Sequence, residues 1–173
     1  MRSLIPALAL AAFVAAPAYA QDKMSNDDQA AMKQLASANL AEIESGKMAA
    51  QKAQNAEVKS FAQKMVQDHS KMLEDLKSLA KAKGVALPQD APAKEMAQAK
   101  LLEHKSGAEF DKDYMEHMVK DHEKDVKDTE NIAAKAKDPQ FKSAVQQANA
   151  KIREHLQLAQ RVAQNAGAGS TSK

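Results

Sequence analysis

The sequence predicts an all-α protein built as a four-helix bundle, and three observations carry that prediction. The best helix formers, Ala, Lys, Gln, Glu, Leu and Met, dominate the chain. Apolar residues recur at three- and four-residue spacing over long stretches. Prolines and glycines are few, and most of them bound those stretches.

The chain has 173 residues, a formal net charge of +2, 44% hydrophobic and 3% aromatic residues, and neither Cys nor Trp. This length suits one domain. Without Cys there can be no disulfide framework and no thiolate-held zinc or iron–sulfur site. The near-neutral balance argues against nucleic acid as a partner, because phosphate binding needs a clustered positive field. Residues 1–20 read as a secretory signal peptide. Arg2 supplies the positive start, Leu4 to Ala16 is apolar, and Ala18-Tyr19-Ala20 is a small-x-small cleavage signal. The apolar run is too short to span a bilayer. The expectation is a protein maturing at Gln21, exported to a bacterial periplasm or secreted, with no transmembrane segment or lipid anchor after cleavage. Its stability would come from helix packing alone, and the 28 alanines after residue 20 would let helices approach closely.

The elements follow in order. The first long helix is predicted from Asn26 to Lys52, with Asp27 and Asp28 at its positive end and Lys47 and Lys52 near its negative end. The second starts after Asn55 as N-cap and ends near Lys83, with Gly84 at the C′ position. A loop with Pro88 and Pro92 leads to a short helix from about Ala93 to Lys105. Ser106-Gly107-Ala108-Glu109 reads as a capping box and opens the third long helix, which runs to about Lys137. Asp138-Pro139 reads as N-cap plus proline at the first helical position, and the fourth long helix runs to about Ala166. The bundle domain is then 21–166, and the small, polar tail 167–173 is expected to be disordered. The first two helices are tightly joined, and so are the last two, so each pair should be an antiparallel hairpin. The 23 residues from Gly84 to Ser106 are long enough to run the length of a bundle. Short–long–short connection is the ferritin-like pattern.

Each apolar stripe contains one ionisable residue. In the first helix the stripe is Ala31, Leu35, Ala38, Glu42, Ser45 and Ala49, and it carries Glu42. The other three carry His69, His122 and His155. All four lie near the middle of their helices, and midpoints face each other in a bundle. The sequence therefore puts one carboxyl and three imidazoles at one level of the core, where each polar group must find a partner. There is also an internal echo. Met65-Val66-Gln67-Asp68-His69-Ser70-Lys71 matches Met118-Val119-Lys120-Asp121-His122-Glu123-Lys124 at five of seven positions. It reads either as two i,i+3 surface ion pairs beside core histidines or as a duplicated half-site in which Asp68 and Asp121 orient ligand histidines.

The ordered motifs, rather than the composition, carry a resemblance. They are Ala41-Glu42-Ile43-Glu44-Ser45-Gly46-Lys47, then Val58-Lys59-Ser60-Phe61-Ala62 leading to Asp68-His69. Gly107-Ala108-Glu109-Phe110-Asp111-Lys112-Asp113-Tyr114 follows, then His122 and Arg153-Glu154-His155-Leu156. From about residue 26 to 163 the chain resembles the bacterial exported domain-of-unknown-function family numbered 4142. The resemblance implies a ferritin-like fold and no assigned chemistry. It maps the family's recurring polar positions onto Glu42, Asp68, His69, Asp111, Tyr114, His122 and His155, which adds Tyr114 to the supporting residues. Members often carry a proline shortly before the last His; Lys151-Ile152 stands there in this chain, which implies a straighter last helix.

Four function readings follow. Three imidazoles and a carboxylate could hold one zinc, copper or iron ion, with Glu42, His69, His122 and His155 as ligands. The alternative is a structural or protein-interaction bundle in which these groups bond one another and no ion binds. A di-iron oxidase fails the motif test, because it needs Glu-x-x-His pairs and Val66, Val119 and Ile152 stand three residues before the histidines. Copper handling assisted by methionine is suggested by Met65 and Met118, one turn from His69 and His122; Met as core filler explains the same spacing. His104 is expected on the solvent side, and His117 on the surface or at a rim. No Cys, activated Ser or Gly-rich phosphate loop supports catalysis.

Overall fold

A computed structural model describes residues 23–91, 93 and 96–169. The expected signal peptide, residues 1–20, lies outside the described residues. Among the described residues five helices follow in order: α1 (Asn26–Lys52), α2 (Ala56–Lys83), α3 (Ala97–Leu102), α4 (Gly107–Lys135) and α5 (Pro139–Gly169). Three of the four long ones start at a side-chain cap, and α2 also ends at a glycine cap. Ser25 accepts from the backbone N–H of Asp28, and Asn55 from those of Glu57 and Val58. Asp138 accepts from those of Gln140 and Phe141, with Pro139 at the first helical position. Gly84, at φ +68°, ends α2 in a left-handed cap, and the N–H of Val85 reaches back to the carbonyl of Ala80.

Three sequence expectations change. The capping box at Ser106 does not form: the Ser106 side chain makes no cap bond, and Glu109 pairs with Lys105 at 2.9 Å instead. The short helix is confined to Ala97–Leu102, where no side chain caps its start and Ala99 and Leu102 are buried at 6% and 1% exposure. The last helix continues to Gly169, past the expected end at Ala166, so residues 167–169 are helical; 170–173 lie outside the described residues. It runs unbroken through Lys151-Ile152.

Two buried aspartates fix the topology. Asp111, near the start of α4, accepts from the N–H groups of Gln54 and Asn55 in the α1–α2 loop. Asp28, near the start of α1, accepts from those of Lys137 and Asp138 in the α4–α5 loop. The starts of α2 and α4 therefore share one end of the bundle, and the starts of α1 and α5 share the other. A nearly buried Lys83–Asp138 ion pair of 2.7 Å joins the end of α2 to the start of α5. The directions are up, down, down, up, and the connection from Gly84 to Ser106 runs the whole length of the bundle. This is the ferritin-like connectivity. Within it α1 packs on α2 and α4 on α5, α2 packs on α5, and α1 packs more loosely on α4.

The hairpins repeat each other in register. Asp28, Asn39, Glu42 and Asn55 in the first stand at the same spacings as Asp111, His122, Asp125 and Asp138 in the second. Helices α1 and α2 approach closely at Gly46, where an added Cβ would lie 2.9 Å from Cγ2 of Val66 and 3.1 Å from the carbonyl of Ala62. Among the described residues no helix is long and apolar enough to cross a membrane.

The core consists of two apolar clusters. One, towards the α1–α2 loop, is built around Phe61, Met65, Phe110, Tyr114, Met115 and Met118. The other, towards the α4–α5 loop, includes Met32, Leu73, Leu76, Phe141 and Val145. The buried face of α1 differs from the expected stripe in its first half. Met32 and Ala36 are buried, while Ala31, Leu35 and Ala38 are half-buried.

Candidate metal centre

The layer between the two clusters is polar. The midpoints of α2, α4 and α5 present His69, His122 and His155, at 3%, 0% and 0% exposure. Their ring centroids are 5.8 Å apart for His69–His122, 5.2 Å for His69–His155 and 5.6 Å for His122–His155. One ring nitrogen from each lies within 4.8 Å of the others, the one such group of three or more His, Cys, Asp or Glu among the described residues.

Each ring has one nitrogen engaged and one unpartnered. His69 Nδ1 donates to Asn39 Oδ1 at 3.1 Å, and the Asn39 amide is itself held by its N–H bond to the Leu35 carbonyl. His122 Nδ1 donates to the Met118 carbonyl at 2.9 Å. His155 Nε2 donates to Asp68 Oδ2 at 2.8 Å. All three partners are acceptors, so each fixes the tautomer of its ring and leaves a lone pair on the other nitrogen. Those nitrogens, Nε2 of His69, Nε2 of His122 and Nδ1 of His155, are buried and have no partner.

Burial keeps all three rings neutral. It pushes His69 well below the ordinary imidazole value, helped by the neighbouring His122 and His155. Burial also lowers His122. It lowers His155 to about 4, although the Asp68 bond opposes it. Burial alone would raise the Asp68 carboxyl, but the bonds from Lys64 and His155 outweigh it and hold Asp68 below its usual value. At neutral pH the layer thus offers three lone pairs and no bound proton to displace.

Glu42 is buried in the same layer at 6% exposure, and its Oε2 has no partner. It is not in the gathered set of ligand atoms, so the expected quartet becomes a histidine triad with a carboxyl nearby. Burial, then the charge of Asp121, pushes the Glu42 carboxyl up to about 8. Asp125, on α4, is raised to about 7 by burial and by Glu42. Tyr114 is fully buried with an unpartnered hydroxyl, and burial and Glu42 together raise its pKa. It stacks on Phe110 at 6.0 Å and belongs to the apolar cluster beneath the layer.

The internal echo does not make two equal half-sites. Asp68 serves His155 on another helix rather than its neighbour His69. Asp121 pairs with His117 at 3.1 Å instead of orienting His122. The reason is the hairpin symmetry, which relates α2 to α5 and α1 to α4, whereas the echo relates α2 to α4. Asp68 pairs with Lys64 at i,i−4, Lys71 pairs with Asp75, and Lys124 reaches Asp128 at 2.7 Å and Asp125 at 3.9 Å. His117 is half-buried with Asp121 at the rim, and His104 is exposed. Met65 and Met118 are fully buried members of the apolar cluster.

Sequence reasoning missed Asn39 and Asp125. Asn39 lies one turn before Glu42 and Asp125 one turn after His122, so each shares the face of a residue already singled out. Spacing from those residues, rather than apolar periodicity, was the signal that could have found them.

The fold has solved counterparts. A DUF305 fragment from Deinococcus radiodurans superposes with a TM-score of 0.73 at 11% identity, covering 82% of this chain and 98% of that one. A structure described as CopM in the Cu(II)-bound form superposes with a TM-score of 0.64 at 18% identity, covering 80% and 96%. These likenesses concern the fold. No curated protein matches the sequence. The polar residues that carried the resemblance, His69, His122, His155 and Glu42 in the layer and Asp111 at the loop, all fall inside residues 14–162. That span matches the family described as Domain of unknown function (DUF4142), and the chain belongs to that family.

Proposed function

We propose that this protein is an exported, non-catalytic bundle that binds one transition-metal ion through His69, His122 and His155. The observation that carries the reading is the set of three neutral, buried imidazoles, each with one nitrogen held by a fixed acceptor and the other unpartnered, and with one ring nitrogen from each gathered within 4.8 Å. Ligand nitrogens about 2.0 Å from one tetrahedral ion lie about 3.3 Å apart, so a closure of about 1.5 Å across the widest pair completes the site. Partners that fix the tautomer of a ligand imidazole are the usual support of such sites. Without an ion, three lone pairs remain buried with no donor, which carries a desolvation cost. Three imidazoles without thiolate suit zinc or copper, and the similarity in fold to a protein described in a Cu(II)-bound form agrees with copper. Export rests on the signal-like residues 1–20.

The test is metal analysis of protein purified after native export, beside the variant carrying His69→Ala, His122→Ala and His155→Ala. One equivalent of zinc or copper is expected in the wild type and none in the variant. Wild-type protein without metal, showing no thermal shift with zinc, copper or iron, would refute the reading and leave a structural or protein-interaction bundle.

A further inference from the structure

On the α4–α5 loop side of the histidine layer, the helices leave a cavity of about 300 Å³ that opens to the surface. Its walls are mostly apolar and include Leu35, Met72, Leu76, Val145, Ala148 and Ile152. Its layer side is lined by His69 and by Asn39 and Asp68, the residues that hold His69 and His155. Among the atoms without a partner, His69 Nε2 is the one whose residue lines this cavity. The outer end reaches the surface between Lys71, Lys124 and Lys151. Each of these is paired with an acid, respectively Asp75, Asp128 and Glu154.

These features define a ligand. A mainly apolar cavity of this size with polar groups at one end is the usual form of a small-molecule site. Three protein ligands leave a metal an open position, which catalytic and ligand-exchanging sites retain. The paired lysines add no net positive charge, and the Asp68 and Asp125 carboxyls on the lining offset the charge of the ion, which leaves room for a neutral donor. We propose that the cavity binds a small, predominantly apolar organic molecule. Its one neutral donor, a heterocyclic nitrogen or a thioether, occupies the open position of the metal at the His69 edge. This proposal rests on the metal-binding reading and adds to it a second ligand and its chemical class.

Zinc-loaded protein is titrated calorimetrically at pH 8 with 4-phenylimidazole and with imidazole, which share the donor and differ in the apolar body. Zinc content is measured separately before and after. The phenyl compound should bind roughly tenfold tighter or more, since its ring is removed from water in the cavity. That advantage should vanish in Ala148→Phe, which fills the cavity while keeping all three histidines and the zinc. Leu35→Trp, from another wall, serves as the second variant should the first not fold. Equal affinity for the two probes, or an advantage that survives in the filled variants, overturns the proposal while retained zinc leaves the metal reading standing. Wild-type protein that takes up no zinc overturns the metal reading, and this proposal with it.

Discussion

Between the histidine layer and the α1–α2 loop, the bundle packs Phe61, Met65, Phe110, Tyr114, Met115 and Met118, none more than 2% exposed. Between the same layer and the α4–α5 loop, the inward positions include Ala38, Ala144, Ala148 and Thr129, and the 300 Å³ cavity lies among them. The difference is one of side-chain volume on one backbone plan. The hairpins repeat each other in register, and each loop is tied by one buried aspartate, so the frame is matched at both ends. Aromatic and Met side chains close one half, and Ala leaves space in the other. One half therefore serves stability, and the other can serve binding.

The largest expected effect separates the halves directly. Phe61→Ala should cost about 3–5 kcal/mol, because the ring is fully buried and its neighbours cannot close around the gap. Met72→Ala, at the cavity wall, should cost less than about 2 kcal/mol, because that side chain already borders space. Urea denaturation of the two variants checks the contrast, and equal losses would contradict it.

The loop ties should behave alike across the halves. Asp111→Ala and Asp28→Ala each strand two N–H groups and remove their carboxyl acceptor, and each should cost about 2 kcal/mol or more. A tie that proved dispensable, read from thermal melts, would show that one end of the bundle is held by other means.

The polar layer between the halves should give metal-free protein a stability maximum in pH. The histidines titrate below their ordinary 6.5 when folded. The unfolded chain therefore takes up protons first, and stability is lost as pH falls through 6.5 towards 4. Glu42 works in the opposite sense. Raised from 4.5 to about 8, it keeps its proton when folded after the unfolded chain has lost it, so stability declines as pH rises from about 4.5 to 8. Asp125 adds to that decline up to about 7. Glu42→Gln should shallow the alkaline limb and steepen the acid limb above about pH 4.5, where Glu42 opposes the histidines. Denaturation at pH 5, 6.5 and 8 tests this, and an unchanged alkaline slope would remove Glu42 from the account.

The smallest effect is expected from filling space. Ala38→Leu adds three carbons beside the cavity and should change stability by less than about 1 kcal/mol, most of it favourable. A loss above 2 kcal/mol in a chemical melt would mean that the half is already filled.

Much of this was legible in the residues. Asn55, Gly84 and Asp138-Pro139 mark helix boundaries through local backbone chemistry that a single sequence carries, and they mark them correctly. Three histidines at matching heights on apolar stripes announce a shared layer, because helical rise is fixed. What stayed hidden depends on rotation and pairing between helices. Asp68 and Asp121 look identical in sequence, yet one reaches across to His155 and the other turns to His117. That choice follows from hairpin symmetry, which appears only when the crossing connection sets α2 and α4 parallel. The cavity was hidden for a similar reason, since alanines announce close approach and only the packed helices decide where approach falls short.

The central claim is that three imidazoles bind one ion at the boundary between the halves. Electron paramagnetic resonance of protein loaded with one equivalent of Cu(II) tests it most directly. The account predicts hyperfine coupling to three equatorial imidazole nitrogens, one ion retained per chain through gel filtration, and loss of one nitrogen in each single variant His69→Ala, His122→Ala and His155→Ala. A spectrum of free or surface-bound copper, unchanged by those substitutions, would contradict it.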